Sequence, residues 1–481
     1  MNSAEREDAD GAQNANFDND ADVNELNVIL NEDITENEIY KCIQGLKNGK
    51  ACGDDMIINE YIKSTCSVFM PIYVKLFNIV FHSGIVPELW LIGNIIPFYK
   101  NKGEINDPQN YRPITILSCM GKLFTSILNL RLGLYLDQFL LLKENQSGFR
   151  KGYSTIDSIF TLHLLFELCK QRKKKLFCAF IDFAKAFDTV WRSGLWSKLL
   201  QNSINGKMYK IIVNMYSNIK SRIFNGSEYS EYFACEVGVR QGENLSPLHF
   251  SLYLNDLETF MQNKNVHGLK ILSEEIESEL DMYINLFIIL YADDTVLLSE
   301  TKEDLQRQIN VLSEFCADWK LKVNVQKSKI VIFSKGRMPQ NLSFYYDGLK
   351  LEIVKEFSYL GVLFSRSGNF LKAKKTQVDK ALSAMYDVIR KGKFHNLSIE
   401  CLLDLFDKVV KPILLYGCEV WGYGDIHIIE RVHLKFCKLI LNIKKSTPDC
   451  MVYGELGRYP LDISIKLRII NYWAKLVTGK P

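Results

Sequence analysis

The sequence predicts an α+β protein, in which apolar strands and amphipathic helices are both present. The stretch 286–299, reading LFIILYADDTVLLS, has two apolar runs separated by a short acidic turn, which is typical of a β-hairpin. A second apolar run, 177–181, ends at a single acidic residue and predicts a buried strand. The segments 61–83 and 366–395 instead repeat apolar residues every three or four positions, as amphipathic helices do.

Composition places the chain among ordinary globular proteins. Of its 481 residues, 47% are hydrophobic and 24% are charged, and a chain of this length holds about two to four domains. No segment is predicted to be long and apolar enough to span a bilayer, and the N-terminus lacks a secretory signal pattern. The 12 cysteines form no C-x-x-C pair, so neither a disulfide framework nor a standard zinc site is indicated. We therefore expect an intracellular protein, in the nucleus, the cytoplasm or both, without a membrane partner.

Charge is distributed unevenly along the chain. Residues 1–25 contain eight acidic residues, one arginine and almost no apolar side chain, so we predict a disordered acidic tail over residues 1–35. The whole chain has 59 basic and 56 acidic residues, and outside residues 1–25 there remain 58 basic and 48 acidic ones, a net charge of +10. A basic body of this kind is compatible with a polyanionic partner such as nucleic acid.

The first part of the folded body contains a predicted helix start and a candidate phosphate ligand. Thr35 and Glu38 have the spacing of a capping box, which predicts that a helix begins directly after Thr35. Arg112 precedes Pro113, and the residue before a proline is held in an extended conformation. An arginine in this position can form two parallel hydrogen bonds to a phosphate. An ordinary surface arginine in a loop explains the same pattern equally well.

A glycine-containing basic loop, QSGFRKGYST, occupies residues 146–155. Arg150 and Lys151 lie between Gly148 and Gly152. Glycine allows a backbone to approach a ligand closely, and the basic side chains between the glycines suit a phosphate. The loop is therefore a candidate for phosphate binding.

A second polar loop leads into a helix within 238–256, which reads GVRQGENLSPLHFSLYLND. Gln241 and Gly242 lie in the loop, Ser246 is the predicted N-cap of the helix, and Pro247 follows it in the first turn. Because the N-terminus of a helix attracts anions, the loop is a second candidate ligand site.

Three aspartates are the strongest candidates for chemistry. Asp182 follows the strand 177–181, and a carboxylate there is costly to bury unless it is paired or binds a metal. Asp293 and Asp294 are adjacent in the hairpin turn, and they repel each other unless one is protonated, water solvates them or a cation lies between them. Such hard oxygen ligands select Mg²⁺ or Mn²⁺. Alternatively, Asp182 caps the helix that follows it, and the pair is an acidic surface turn.

The chain after the hairpin predicts one helix, two strand regions and a long basic helix. Thr301 and Asp304 are placed to begin the first helix, and 321–334 and 357–364 have the apolar patterns of strands. The segment 366–395 contains eight basic and two acidic residues. Its apolar stripe predicts core packing, and its basic face is what a helix that follows nucleic acid would present. The stripe consists of Val378, Leu382, Met385 and Ile389.

Taken in order, these segments resemble reverse transcriptases, and more closely those of non-LTR (LINE-type) retrotransposons such as the jockey-like elements. The resemblance extends from residue 36 to residue 440 and is carried by an ordered set of stretches. They are GLKNGKACGDD at 45–55, NYRPITIL at 110–117, QSGFRKGYST at 146–155, AFIDFAKAFDTV at 179–190, GVRQGENLSPLHF at 238–250, LYADDTVLLS at 290–299, KVNVQKSK at 322–329, FSYLGVLF at 357–364 and LLYGCEVWG at 414–422. Met56, Glu243 and His249 depart from the family pattern, and none of them is a presumed metal ligand.

The resemblance implies a right-hand polymerase fold. Its parts would be an acidic tail at 1–35, fingers at 36–175, a ferredoxin-like palm with an antiparallel sheet at 176–364, and a helical thumb with the C-terminal region at 365–481.

The resemblance also implies a two-metal active site. Asp182 and Asp293 would bridge two Mg²⁺ ions, or Mn²⁺ in their place, with Asp294 as a neighbouring acid and the carbonyl oxygen of Phe183 completing one shell. Lys327 would protonate the pyrophosphate leaving group, with Lys329 as a competitor.

The nucleotide would be recognised by residues from three other stretches. Phe187 matches the steric-gate position that excludes a 2′-hydroxyl, although an ordinary core aromatic is the alternative. Gln241 and Gly242 would lie against the incoming nucleotide. Arg112 and Arg150, with Lys151, would neutralise the triphosphate.

The function implied is that of an RNA-directed DNA polymerase of a non-LTR retrotransposon. It would add dNTPs to a DNA primer on an RNA template. The alternatives are a truncated or domesticated relic that binds RNA without polymerising, and an RNA-dependent RNA polymerase, which Phe187 disfavours. Because the chain shows no endonuclease segment and no compact Cys/His spacing, we expect a fragment of a longer retrotransposon protein.

Overall fold

The computed structural model describes residues 28–101, 103–150, 152–266, 268–271, 284–286, 288–334 and 341–479. Helices and strands alternate along these ranges, so the predicted α+β class is confirmed. Most of the predicted acidic tail lies outside the described residues. Its end is folded, because residues 28–31 are helical and both Leu30 and Ile34 are buried.

The helices account for most of the regular structure, and a π-helical turn at Phe406–Val410 joins two of them. In chain order they are α1 (Val28–Asn31), α2 (Glu36–Gln44), α3 (Asn59–Ser64), α4 (Cys66–Ser83), α5 (Glu88–Leu91), α6 (Cys119–Gln138), α7 (Thr155–Gln171), α8 (Arg192–Gln201), α9 (Gly206–Ser217), α10 (Ser246–Leu254), α11 (Leu257–Asn263), α12 (Lys302–Asp318), α13 (Leu371–Phe394), α14 (Ile399–Leu405), α15 (Lys411–Leu414), α16 (Cys418–Trp421), α17 (His427–Ile440), α18 (Asp449–Leu456) and α19 (Leu461–Thr478).

The strands are short. In chain order they are β1 (Ile92–Tyr99), β2 (Tyr111–Ile116), β3 (Leu176–Ile181), β4 (Lys220–Ile223), β5 (Phe233–Ala234), β6 (Leu269–Ile271), β7 (Ile284–Leu286), β8 (Ile288–Tyr291), β9 (Asp294–Ser299), β10 (Lys329–Phe333), β11 (Phe344–Tyr346), β12 (Leu349–Val354), β13 (Glu356–Tyr359) and β14 (Val362–Ser365).

The chain forms two compact units, each built from segments that are not contiguous in sequence. The first unit comprises Met1–Gln146, Phe183–Phe260 and Glu314–Lys322. Its sheet has the strand order β2-β1-β4-β5, with β1 antiparallel to β2 and parallel to β4. Helix α2 begins with the predicted capping box, in which the Thr35 N–H donates to Glu38 at 2.9 Å.

The second unit comprises Ser147–Asp182, Met261–Ser313 and Val323–Pro481. Its main sheet has the order β11-β12-β10-β3-β9-β8 and is antiparallel except for the pair β10 and β12. All six residues of β3 are buried, because β3 is covered on both faces. A central, fully buried strand is a rigid support for whatever follows it in the chain.

The C-terminal helices of the second unit pack around the basic helix α13. Its predicted apolar stripe is confirmed: Met385 is fully buried, and Val378, Leu382 and Ile389 pack against the same core. The predicted strand pair at 357–364 is also present, as the antiparallel strands β13 and β14.

Two predictions about where helices begin and end were wrong. Ser246 is the first residue of α10, and Leu245 holds the N-cap position without a side-chain hydrogen bond. The predicted helix 61–83 is divided at Thr65 into α3 and α4.

Helix α4 also corrects the expectation about apolar segments. By length and composition alone, Cys66–Ser83 is long and apolar enough to cross a membrane, and 33% of it is buried. Core helices of soluble proteins pass the same test, so the finding carries no further conclusion.

Candidate active site

Two neighbouring strands of the second unit place acidic residues at the same end of the sheet. Strand β3 pairs antiparallel with β9, and Ile181 lies opposite Thr295. The next residues along these strands are Asp182 and Asp294, so the pairing brings both carboxylates to the open end of the strand pair. This juxtaposition links residues that are far apart in the sequence.

The predicted hairpin is confirmed, and its turn presents the third carboxylate. Tyr291 pairs with Asp294 across a two-residue turn formed by Ala292 and Asp293. Ala292 has a φ of +58°, whereas Asp293 does not have a positive φ, which is the pattern of a type II′ turn. Glycine is preferred at the first position of such a turn, so an alanine there is held in an unfavourable conformation.

The environment of the site raises the pKa values of Asp293 and Asp294. Burial raises the pKa of Asp294 to about 6, and the negative charges of Asp293 and Asp182 contribute to the increase. Burial also raises the pKa of Asp293, and the charge of Asp182 adds to this, while a backbone hydrogen bond and Lys327 oppose it. A cation between these groups would relieve their mutual repulsion.

Hydrogen bonds hold the backbone of Asp182 in place, whereas one oxygen of its side chain has no hydrogen bond. Its N–H donates to Ser328 Oγ at 3.1 Å, and its carbonyl oxygen accepts from the Asn324 N–H at 2.7 Å. The Oδ2 atom is buried and has no hydrogen-bond partner. The Nζ atom of Lys327 lies 3.6 Å from it. A buried carboxylate oxygen without a hydrogen bond is unfavourable unless a cation is nearby.

The donor set fits a hard divalent cation, but the ligands are not fully assembled. Carboxylate oxygens are the ligands that Mg²⁺ and Mn²⁺ prefer, and Asp182 lies close enough to the other two acids for its charge to raise their pKa values. Across the described ranges, no group of three or more His, Cys, Asp or Glu side chains lies close enough to hold a metal ion. A bound ion would therefore draw the three carboxylates closer together.

A cavity of about 530 Å³ opens beside these carboxylates, within the second unit. Lys327 and Lys329 both line it, but their environments differ. The Lys329 ammonium donates to Glu352 at 2.8 Å, whereas the side chain of Lys327 is 69% exposed and lies nearest to Asp182. The structure therefore favours Lys327 over Lys329 as the group that remains available to a ligand. The other lining residues include Phe180, Gln326, Glu356, Phe357 and Tyr359.

The candidate nucleotide-binding residues of the first unit form a cluster of their own. The ring of Phe187 stacks on that of Phe250 at 5.1 Å between centroids, and its carbonyl oxygen accepts from the Val239 N–H at 2.7 Å. The Nε2 of Gln241 donates to Asp188 Oδ1 at 3.0 Å. The first unit thus brings Phe187 and Gln241 close to each other.

Gly242 has a conformation that only glycine adopts easily. Its φ is +101°, and a Cβ atom there would lie 3.0 Å from the carbonyl oxygen of Thr115. The loop is anchored on its other side by Arg240, whose guanidinium donates to the carbonyl oxygen of Trp90 at 2.9 Å. These contacts hold the amide of Gln241 in a defined place.

The predicted basic ligands are less closely defined. Arg112 lies in strand β2, exposed and extended as the following proline predicts, opposite Phe98. The guanidinium of Arg150 lies over the ring of Tyr153 at 4.6 Å. Lys151 lies outside the described residues. Phe183, whose carbonyl oxygen is a predicted metal ligand, follows Asp182 in the chain and is buried.

Sequence reasoning missed three residues that support the candidate site. Ser328 binds the backbone of Asp182, and Asp188 binds the amide of Gln241. Gly148 lies against the backbone of Ala292. Ser328 lies inside the stretch 322–329, and Asp188 directly follows Phe187. Their position next to predicted site residues is the sequence feature that could have identified them.

Comparison with known proteins identifies the relatives of the chain. The family described as reverse transcriptase (RNA-dependent DNA polymerase) matches residues 99–364. The probable RNA-directed DNA polymerase from transposon BS of Drosophila melanogaster is 25% identical over 424 residues, which are 86% of this chain and 45% of that protein. The corresponding enzyme from transposon X-element is 25% identical over 435 residues, 87% of this chain and 45% of that protein. The RNA-directed DNA polymerase from mobile element jockey is 23% identical over 422 residues, 85% of this chain and 44% of that protein.

The chain spans about half the length of these relatives. Among solved structures, apo telomerase from Candida tropicalis has a TM-score of 0.38 and 13% sequence identity, over 66% of this chain and 61% of that one. A TM-score of this size supports no argument about the present fold.

Proposed function

The chain belongs to the reverse transcriptase (RNA-dependent DNA polymerase) family, and from this premise we propose that it is the RNA-directed DNA polymerase of a non-LTR retrotransposon. Its substrates would be dNTPs, a DNA primer and an RNA template. The relatives from transposon BS, X-element and jockey, which match most of the chain, support this assignment. It would act in the nucleus, the cytoplasm or both, where template and primer meet.

One observation carries the proposal: three carboxylates gather at the end of a buried strand pair, and one buried oxygen accepts no hydrogen bond. Asp182 and Asp293 are the proposed bridging ligands, Asp294 is the neighbouring acid, and the carbonyl oxygen of Phe183 is a further ligand. When bound, two divalent ions stabilise the attacking and the leaving oxygen of an in-line phosphoryl displacement. Burial and neighbouring negative charge raise the pKa values of Asp293 and Asp294, and a bound divalent ion would offset that accumulated negative charge.

The remaining candidates are assigned to the nucleotide. Lys327, which is exposed and 3.6 Å from Asp182, would donate a proton to the pyrophosphate leaving group. Phe187 would exclude the ribose 2′-hydroxyl, and Gln241 and Gly242 would lie against the nucleotide. Arg112 and Arg150, together with Lys151, would pair with the triphosphate. In this proposal 36–175 forms the fingers, 176–364 the palm, and 365–481 the helical thumb and C-terminal region.

A primer-extension assay tests the proposal. Purified protein with poly(rA)/oligo(dT), dTTP and Mg²⁺ should extend the primer, and Asp293→Asn should abolish the extension. Asp404→Asn is a matched control, since Asp404 is exposed on α14 and its contact with Lys408 is an ordinary surface ion pair.

Two outcomes would contradict the proposal. Folded wild-type protein that is as inert as Asp293→Asn would remove the enzymatic claim. Salt-dependent RNA binding by that inert protein would instead support the relic that binds RNA without polymerising.

A further inference from the structure

The glycine loop that follows Gln146 contacts the catalytic turn directly. The N–H of Ser147 donates to the carbonyl oxygen of Leu290 at 3.0 Å, and its hydroxyl donates to the same oxygen at 3.1 Å. That hydroxyl also lies 2.8 Å from the hydroxyl of Ser158, which is buried on α7. Because β8 is the outermost strand of its sheet, Ser147 binds the edge of the sheet next to the turn.

Gly148 approaches the turn more closely than any other residue type would allow. A Cβ atom at Gly148 would lie 2.2 Å from the backbone nitrogen of Ala292 and 3.0 Å from the carbonyl carbon of Tyr291. These are backbone atoms, so they cannot rotate away as a flexible side chain does. The φ of Gly148 is not positive, and glycine is therefore required here for space and not for conformation.

The turn needs such support because of its own conformation. Ala292 adopts a positive φ of +58°, which is unfavourable for a residue with a Cβ atom, and it is 5% exposed. Strained backbone persists where surrounding structure leaves no alternative. The backbone of Gly148 lies directly against that of Ala292, and Asp293 is the next residue in the chain.

The other end of the loop is anchored as well. The ammonium of Lys475 in α19 donates to the carbonyl oxygen of Gly152 at 2.7 Å and lies 3.4 Å from Asp157 Oδ2. Asp157 forms the capping box of α7 with Ser154, whose N–H it accepts at 2.7 Å. The loop is thus held between α7, α19 and strand β8.

We propose that Gly148, together with Ser147, is a positioning residue that holds the turn so that the carboxylate of Asp293 faces Asp182. This inference rests on the proposed function. It adds a second role to the loop, since Gly148 makes its close approach to the backbone of the turn.

Gly148→Ala tests the inference. The added methyl group must displace the Ala292 backbone, and a displacement of about 1 Å at a reacting centre can cost about 100-fold in rate. We expect kcat on poly(rA)/oligo(dT) to fall at least tenfold, and the Mg²⁺ concentration for half-maximal rate to rise, with little change in the KM for dTTP. Gly454→Ala is the matched control, because a Cβ atom at Gly454 meets nothing within 4 Å.

Hydrogen exchange and metal binding provide readouts that do not need activity. In Gly148→Ala the amides of residues 288–296 should exchange faster than in wild type, and the increase in melting temperature on adding Mn²⁺ should be smaller. Ser147→Ala removes the hydroxyl contact with Leu290 without adding volume, so it keeps the test available if Gly148→Ala does not fold. It should lower kcat, speed the exchange of the same amides and reduce the rise in melting temperature on adding Mn²⁺, each by a smaller factor than Gly148→Ala does.

The outcomes separate this inference from the proposed function. If wild type polymerises and both variants retain its kcat, Mg²⁺ dependence and exchange rates, the positioning role is wrong. A higher KM for dTTP at unchanged kcat in Gly148→Ala would show that Gly148 serves nucleotide binding and not the position of the turn, and would overturn the inference. If wild type is inert, the proposed function fails, and the exchange and Mn²⁺ measurements still decide whether Gly148 holds the turn.

Discussion

Replacing Asp294 with asparagine should stabilise the metal-free protein. Burial, together with the charges of Asp293 and Asp182, raises the pKa of Asp294 from 3.8 to about 6. Without screening by solvent, a pKa shift of this size corresponds to about 3 kcal/mol in the free energy of unfolding. Although protein atoms surround the carboxylate, Asp294 keeps part of its surface in contact with water at the start of β9, so screening reduces the expected gain to about 1 kcal/mol. For a unit of this size that is an increase of about 2 °C in melting temperature.

The size of the stabilisation depends on pH. Because the pKa of Asp294 is higher in the folded state than in the unfolded chain, the folded state binds more protons between pH 4 and pH 6. The contribution of this group to stability therefore decreases as the pH rises through this window and stays low above it. Asp294→Asn should be more stable than wild type at pH 7.5, and its advantage should shrink at pH 5.

The assay is thermal unfolding in EDTA and then in excess Mg²⁺, with Asp404→Asn as the control. In EDTA the variant should have a higher melting temperature than wild type. Adding Mg²⁺ should raise the melting temperature of wild type more than that of the variant, because wild type has the additional metal ligand. A variant that melts below wild type in EDTA at pH 7.5 would refute the account of mutual repulsion among the carboxylates. So would a stabilisation that is equal at both pH values.

Three further substitutions follow from the contacts of the site. Lys327→Met should lower kcat more than Lys329→Met does, because Lys329 is already paired with a glutamate; equal losses in single-turnover extension would contradict this. Phe187→Ala should raise the ratio of UTP to dTTP incorporation at least tenfold, and an unchanged ratio would leave it a core aromatic. Asp188→Ala frees the amide of Gln241 and should raise the KM for dTTP about three- to tenfold, whereas a loss confined to kcat would argue against that contact.

The elements that carry the carboxylates were predictable because their signals are local. Two apolar runs around a polar turn define the hairpin of β8 and β9, and an apolar run that ends at Asp182 defines β3. The capping box at Thr35 is likewise a pattern within four residues. In each case the residues that decide the structure are neighbours in the chain.

The contacts that hold the site were not predictable from the sequence, because they join distant segments. Ser147 and Leu290 are 143 positions apart, and Gln241 and Asp188 are 53 apart. Only the packed structure shows that Gly148 lies against the turn, where the lack of a side chain allows the two backbones to approach closely. From the sequence alone the same glycine is equally compatible with a phosphate ligand.

Single-turnover primer extension by wild type and Asp182→Asn tests the central claim most directly. A metal ligand at the reacting phosphate contributes several kcal/mol of charge stabilisation, so the variant should extend the primer about 1,000-fold more slowly. It should remain folded and bind the RNA–DNA hybrid as wild type does. Extension by Asp182→Asn within tenfold of the wild-type rate would contradict the assignment of this site as the catalytic centre.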